Sequence, residues 1–238
     1  MAYNPNEKKV AAKNYSSTKR IPLGIVCDIS SSMADVQEVV NKLLKDLIIQ
    51  LKNSSTFGKS VDLLIMFYNG DTDVRVNFEK LEDVNVNSIT IVKTTGYTDT
   101  GKALLEALRL LGEKKKEYQS NIVEYYQPNL FLITDGYPCA WQGAPDEEYV
   151  KINRKYELAA EEIQRMVNNN KLVFAAAGIQ RKNGSSANMK RLRELSPYVV
   201  CVSEEFNDMK KIETFFKLIS MTMGADTEIA KVMRELFD

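Results

Sequence analysis

The stretch Ile21-Pro22-Leu23-Gly24-Ile25-Val26-Cys27-Asp28-Ile29-Ser30-Ser31-Ser32-Met33 decides how the rest of the chain is read. Residues 21–27 form a mostly apolar run that stops abruptly at an aspartate, and Ser30 and Ser32 follow at alternate positions. A short continuous apolar run bounded by polar turn residues is how a strand buried on both faces of a parallel sheet reads. Ligands of open α/β sheets bind beyond the carboxyl ends of the strands. One carboxylate and two hydroxyls stand at that place, all hard oxygen donors suited to a hard divalent cation.

Working outward, residues 34–51 carry Val36, Val39, Val40, Leu43, Leu44, Leu47, Ile48 and Leu51. Spacings of three and four predict an amphipathic helix. Residues 61–68, VDLLIMFY, predict a second buried strand, followed by an Asn69-Gly70-Asp71 turn. Val74, Val76 and Phe78 then alternate like a half-exposed strand, so the pair reads as an antiparallel hairpin at a sheet edge. Residues 81–95 carry no clear period. Gly96-Tyr97-Thr98-Asp99-Thr100-Gly101 opens a helix through residue 115, and residues 129–134 make a third apolar strand ended by Asp135-Gly136. After the loop YPCAWQGAP (137–145) comes a helix over 146–169, whose Asp146, Glu147 and Glu148 suit its positive end. A strand over 172–178, a short helix over 187–195 and a strand over 199–202 follow. Helices over 207–223 and 227–236 close the chain, the first with Ile212, Phe216, Ile219 and Met223 as its core face. Strands alternating with helices predict an α/β fold: doubly wound, with a mainly parallel central sheet, one antiparallel edge strand and helices on both faces.

The 238 residues suit one domain, residues 21–238, behind a polar arm of residues 1–20. That arm holds Lys8, Lys9, Lys13, Lys19 and Arg20 against Glu7 alone, reads as solvated, and lacks the apolar core of a secretory signal. Apolar content of 44% and charged content of 27% are those of a globular protein. A formal charge of zero argues against a broad attraction to nucleic acid or membrane. No apolar run approaches the ~20 residues of a membrane helix. Three scattered cysteines, Cys27, Cys139 and Cys201, favour a reducing cytoplasm. The chain has no histidine, which excludes Ser-His-Asp and Cys-His nucleophiles and HExxH zinc sites together. The Lys114-Lys115-Lys116 run reads as a solvated helix face.

If the sheet is parallel, three loops fall at one edge and bring together Asp28, Ser30, Ser32, Thr98 and Asp135. Taken singly, each has a plainer reading: Asp28 and the serines can cap a helix, Asp135 before a glycine can be a turn aspartate, and Asp99 and Thr100 compete with Thr98. Taken together, two carboxylates and three hydroxyls match the hard-oxygen donors of Mg²⁺.

DISSS at residues 28–32, Thr98 within GYTDTGKAL and Asp135 within LFLITDG resemble the von Willebrand factor A family, whose metal-ion-dependent adhesion site has these three pieces. The resemblance spans about residues 21–223. It implies that Ser30, Ser32 and Thr98 bind Mg²⁺ or Mn²⁺, that Asp28 and Asp135 support it, often through water, and that the GxTxxGxAL register selects Thr98. Ser31 replaces the family's usual glycine between the serines. DGYPCAW at 135–141 is similar to the loop of bacterial stand-alone tellurium-resistance-associated members, although Cys139 and Ala140 stand where polar residues are usual.

The resemblance implies a cytoplasmic adaptor in a stress-response or defence assembly. Its cation would take an Asp or Glu carboxylate from a protein partner, such as a kinase, phosphatase or ATPase. Tyr97, Asp99, Tyr137 and Trp141 are expected on the rim, where aromatic side chains serve as anchors. Two other readings stand beside it: a Mg²⁺-dependent phosphohydrolase, and a structural domain with a vestigial site. Ser30 in place of a second acid, and the lack of a GxxxxGK[ST] loop, weigh against the first; the intact donor set weighs against the second.

Overall fold

The computed structural model describes residues 18–55, 57–180, 187–196 and 198–202. The arm up to residue 17, the two expected C-terminal helices and their core face lie outside these residues. In chain order the elements are β1 (Ile21–Asp28), α1 (Gln37–Asn53), β2 (Val61–Tyr68), β3 (Thr72–Lys80), α2 (Thr100–Ser120), β4 (Asn129–Thr134), α3 (Asp146–Asn168), β5 (Val173–Ile179), α4 (Met189–Leu195) and β6 (Val199–Val202).

The six strands form one sheet in the order β3-β2-β1-β4-β5-β6. Among the described residues, β2 and β3 are the one antiparallel pair. This is the doubly wound, mainly parallel sheet with one antiparallel edge strand that the patterning predicts. The unbroken apolar runs have a direct cause: both faces are covered. Ile21, Leu23, Ile25 and Cys27 of β1 join one core with α1, while Val26 joins the other with α2, α3 and α4. Residues 81–95 form two short 3-10 turns, Leu81–Asp83 and Val86–Ile89, which cover the α1 side through Leu81, Val84, Ile89 and Ile91. Val76 and Phe78 of β3 are buried, but Val74 is 38% exposed because the edge strand is bulged.

Three local expectations change. The first helix starts at Gln37 rather than residue 34, since a 3-10 turn (Ser31–Met33) comes first and Ser31 N–H is held by Gly96 O at 3.1 Å. Arg20, placed in the solvated arm, is only 2% exposed. Its Nε donates to Asp62 Oδ2 at 3.2 Å, and a second donor reaches Asp62 Oδ1. Lys114, placed on a solvated face, is 6% exposed, with Nζ 3.7 Å from Asp62 Oδ2 and 3.2 Å from Glu117 Oε2. The Tyr118 hydroxyl completes this buried cluster by donating to Asp62. It lies at the amino-terminal ends of β1 and β2, away from the acids that end β1 and follow β4.

Candidate metal centre

Strand order sets the location. β2 lies on one side of β1 and β4 on the other, so the winding reverses between β1 and β4. In doubly wound sheets that reversal opens a crevice at the carboxyl ends of the strands. Asp28 is the last residue of β1, and Asp135 directly follows β4. Both are 0% exposed.

Backbone hydrogen bonds hold the three loops to one another. Ile29 N–H donates to Tyr68 O at 2.7 Å, Thr95 N–H to Ile29 O at 2.8 Å and Asp99 N–H to Asn69 O at 2.9 Å. Thr98 and Cys139 exchange two bonds, each 3.0 Å, which joins the second loop to the third. Gly136 takes φ +77°, a left-handed conformation that glycine adopts freely and that turns the chain sharply after Asp135.

Within this frame the Ser30 and Ser32 hydroxyls lie 3.0 Å apart. Asp28 Oδ1 accepts from Ser30 N–H at 2.8 Å, and Asp28 Oδ2 accepts from the Thr134 hydroxyl at 2.7 Å and from the Tyr68 hydroxyl at 3.4 Å. Asp135 Oδ1 accepts from Tyr137 N–H at 3.2 Å. Thr98 is 1% exposed. Burial, and after it the charge of Asp135, push the Asp28 carboxyl up to about 6, against the downward pull of its Ser30 and Thr134 donors. Two buried carboxylates, the charge of Asp135 acting on Asp28, with the Ser30 and Ser32 hydroxyls in the adjoining loop, form a donor set that a hard divalent cation fits. Among the described residues there is no cluster of three or more His, Cys, Asp or Glu suited to a metal. Carboxylates with neighbouring hydroxyls are hard oxygen groups, a kind of lining that suits a hard divalent cation better than zinc.

A pH dependence follows. With the Asp28 carboxyl raised to about 6, a divalent cation held here is expected to bind more weakly as pH drops through that value. In EDTA the sign reverses. The raised carboxyl contributes stability that is fully present below the unfolded value near 3.9 and is lost as pH rises through about 6. The increase in melting temperature on adding Mg²⁺ is therefore expected to be larger at pH 7.5 than at pH 5, which thermal melts at both pH values measure.

The rim differs in part from expectation. Tyr97 is half-buried and Tyr137 and Trp141 are exposed, with the Tyr97 and Trp141 rings 5.3 Å apart in an edge-on pair. Trp141 thus packs on the domain while keeping 44% of its surface open. Asp99, expected on the rim, is 2% exposed and has another task. It caps α2 by accepting from Lys102 N–H at 3.0 Å, and it takes the ammonium of Lys155 at 2.6 Å. That ion pair ties α3 to the loop carrying Thr98. Sequence reasoning passed over Tyr68, Thr134 and Lys155. For the first two a signal exists: β2 and β4, which flank β1, both end in a hydroxyl residue.

A sequence profile described as the von Willebrand factor type A domain matches residues 23–217. No curated protein sequence matches the chain. Among solved structures, BatB from Bacteroides thetaiotaomicron superposes with a TM-score of 0.52 at 16% identity, over 86% of this chain and 100% of that one. The manganese-loaded TRAP protein of Plasmodium vivax gives 0.56 at 17% identity, over 83% of this chain and 73% of that one. The PilB minor pilin of Streptococcus sanguinis gives 0.59 at 13% identity, over 87% and 62%. At such identities these likenesses establish the fold, and the profile match over most of the chain establishes more: the protein belongs to the von Willebrand factor type A domain family.

Proposed function

We propose that this domain captures a protein partner through a divalent cation, Mg²⁺ or Mn²⁺, that accepts an Asp or Glu carboxylate from that partner. Ser30, Ser32 and Thr98 hold the cation through their hydroxyls, and Asp28 and Asp135 supply the charge that balances it. One observation carries the reading: Asp28 and Asp135 are both fully buried where the sheet's winding reverses, with the Ser30 and Ser32 hydroxyls 3.0 Å apart in the same loop cluster, and burial, then the charge of Asp135, raises the Asp28 carboxyl to about 6. A cation there relieves the repulsion. Neutral hydroxyl ligands leave it electron-poor, so it draws a further carboxylate from outside.

Family context supports the reading. Von Willebrand factor type A domains often mediate metal-dependent protein interaction or adhesion, and the TRAP relative carries manganese. Tyr97, Tyr137 and Trp141 offer aromatic contact around the captured acid. Three cysteines scattered along the sequence, Cys27, Cys139 and Cys201, accord with a cytoplasmic setting. No helix among the described residues is long and apolar enough to cross a membrane. We place the domain as an adaptor in a stress-response or defence assembly beside a kinase, phosphatase or ATPase, on its resemblance to the tellurium-resistance group.

The test has two readouts. Asp28→Ala is expected to abolish Mn²⁺ uptake measured by titration calorimetry, and to abolish partner retention that EDTA also removes. Retention indifferent to both EDTA and Asp28→Ala sinks the proposal. Mg²⁺-dependent turnover of phosphoesters, lost in the same variant, would establish the hydrolase instead.

A further inference from the structure

Tyr68 is the last residue of β2, is 0% exposed, and belongs to the core that β2 shares with α2. Its inward neighbours on that face, Leu64 and Met66, are apolar, and Phe67 fills the opposite face with a ring and no hydroxyl. Packing alone would be satisfied by phenylalanine. A buried hydroxyl must find partners or lose stability, and this one finds them at the candidate metal centre. It donates to Asp28 Oδ2 at 3.4 Å and lies 3.2 Å from Thr100 Oγ1. When the phenol gives its one proton to Asp28, the Thr100 hydroxyl is left as the donor of the bond between the two hydroxyls. Thr100 is the first residue of α2, two positions after Thr98.

We infer that Tyr68 is a positioning residue of the cation site, its buried hydroxyl tying the Asp28 carboxylate of the first loop to Thr100 of the second. The inference rests on the cation reading above. It goes further by naming a group that, together with Thr134 on the same oxygen, holds one of the site's carboxylates in place from behind. Groups behind metal ligands typically change affinity by about 10–100-fold when removed.

The experiment is Mn²⁺ titration calorimetry on wild type, Tyr68→Phe, Thr100→Val and the double variant, with each melted in EDTA. Tyr68→Phe is expected to weaken Mn²⁺ binding at least about tenfold while its melting temperature in EDTA stays within a few degrees of wild type. Thr100→Val is expected to weaken binding less, and the double variant to match Tyr68→Phe, because both act through one chain of hydrogen bonds. Wild-type affinity in Tyr68→Phe overturns the inference, as does independent loss, with the double variant showing the product of the single effects. An affinity loss accompanied by a large fall in the EDTA melt marks a merely structural role and overturns it too. A wild-type domain that takes up no Mn²⁺ overturns the cation reading and this inference together, which separates the two failures.

Discussion

Replacing Asp62 by alanine is expected to cost about 3–5 kcal/mol and, for a chain of this size, to lower the melting temperature by roughly 6–20 °C. Asp62 sits on β2 at 1% exposure, in contact with Arg20 at 2% and Lys114 at 6%. Its carboxylate also accepts from Tyr118. Removing it leaves a guanidinium and an ammonium inside the protein with their shared counter-charge gone. The guanidinium keeps Val61 O at 3.2 Å and a bond to Lys59 O, and the ammonium keeps Glu117, so the loss stops short of complete unfolding. A double variant, Asp62→Leu with Arg20→Met, is expected to be more stable than Asp62→Ala alone, because it deletes a charge of each sign. Chemical denaturation of the three proteins measures the difference. A double variant weaker than the single one would show that the cluster stabilises through packing rather than charge balance.

Substituting Gly101 by alanine is the second large effect, expected at about 3 kcal/mol, the upper end of ordinary overpacking. A Cβ at Gly101 would stand 2.3 Å from Tyr156 N and 2.4 Å from Lys155 C. These are main-chain atoms of α3 and cannot swing aside. The same helix supplies its own control, since a Cβ at Gly112 meets nothing within 4 Å. Gly112→Ala is therefore expected to stabilise by about 0.5–1 kcal/mol through helix propensity. Opposite signs for one substitution in one helix are expected in denaturation midpoints. The close crossing matters for the site as well. It presses α3 onto the first turn of α2, where Lys155 grips Asp99 next to Thr98. Gly101→Ala is expected to lower divalent affinity as well as stability.

The sheet was legible because burial on both faces leaves a mark in the sequence that needs no tertiary knowledge. β2, β4 and β6 lie where their largely apolar runs do, and the few polar residues those strands bury, such as Asp62 and Thr134, each find a partner. β3 was legible as an edge strand because Val76 and Phe78 alternate with charged and polar residues. Residues 81–95 were not: their apolar residues plug one side of the sheet at irregular intervals, and 3-10 turns have no period to recognise. Asp28, Ser30, Ser32, Thr98 and Asp135 could be grouped from the sequence because each stands at or near the end of an element whose direction was already inferred.

By itself, then, the sequence determined the winding of the chain, the ends of its central strands and the loops that follow Asp28 and precede α2 at one edge of the sheet. These properties repeat locally, as an apolar run or a spacing, and covering both faces of a sheet leaves little freedom in reading them. Tertiary structure alone decided which polar residues meet. Arg20 and Lys114 look solvated among neighbouring lysines, yet converge on Asp62 from positions 42 and 52 residues away. Asp99 looks like another rim acid until Lys155 arrives from α3, and Tyr68 looks like one more core aromatic until Asp28 and Thr100 stand beside its hydroxyl. The energy of a buried charge or hydroxyl depends on the partner it finds, and that partner is fixed by the packing of distant segments, which no local pattern records.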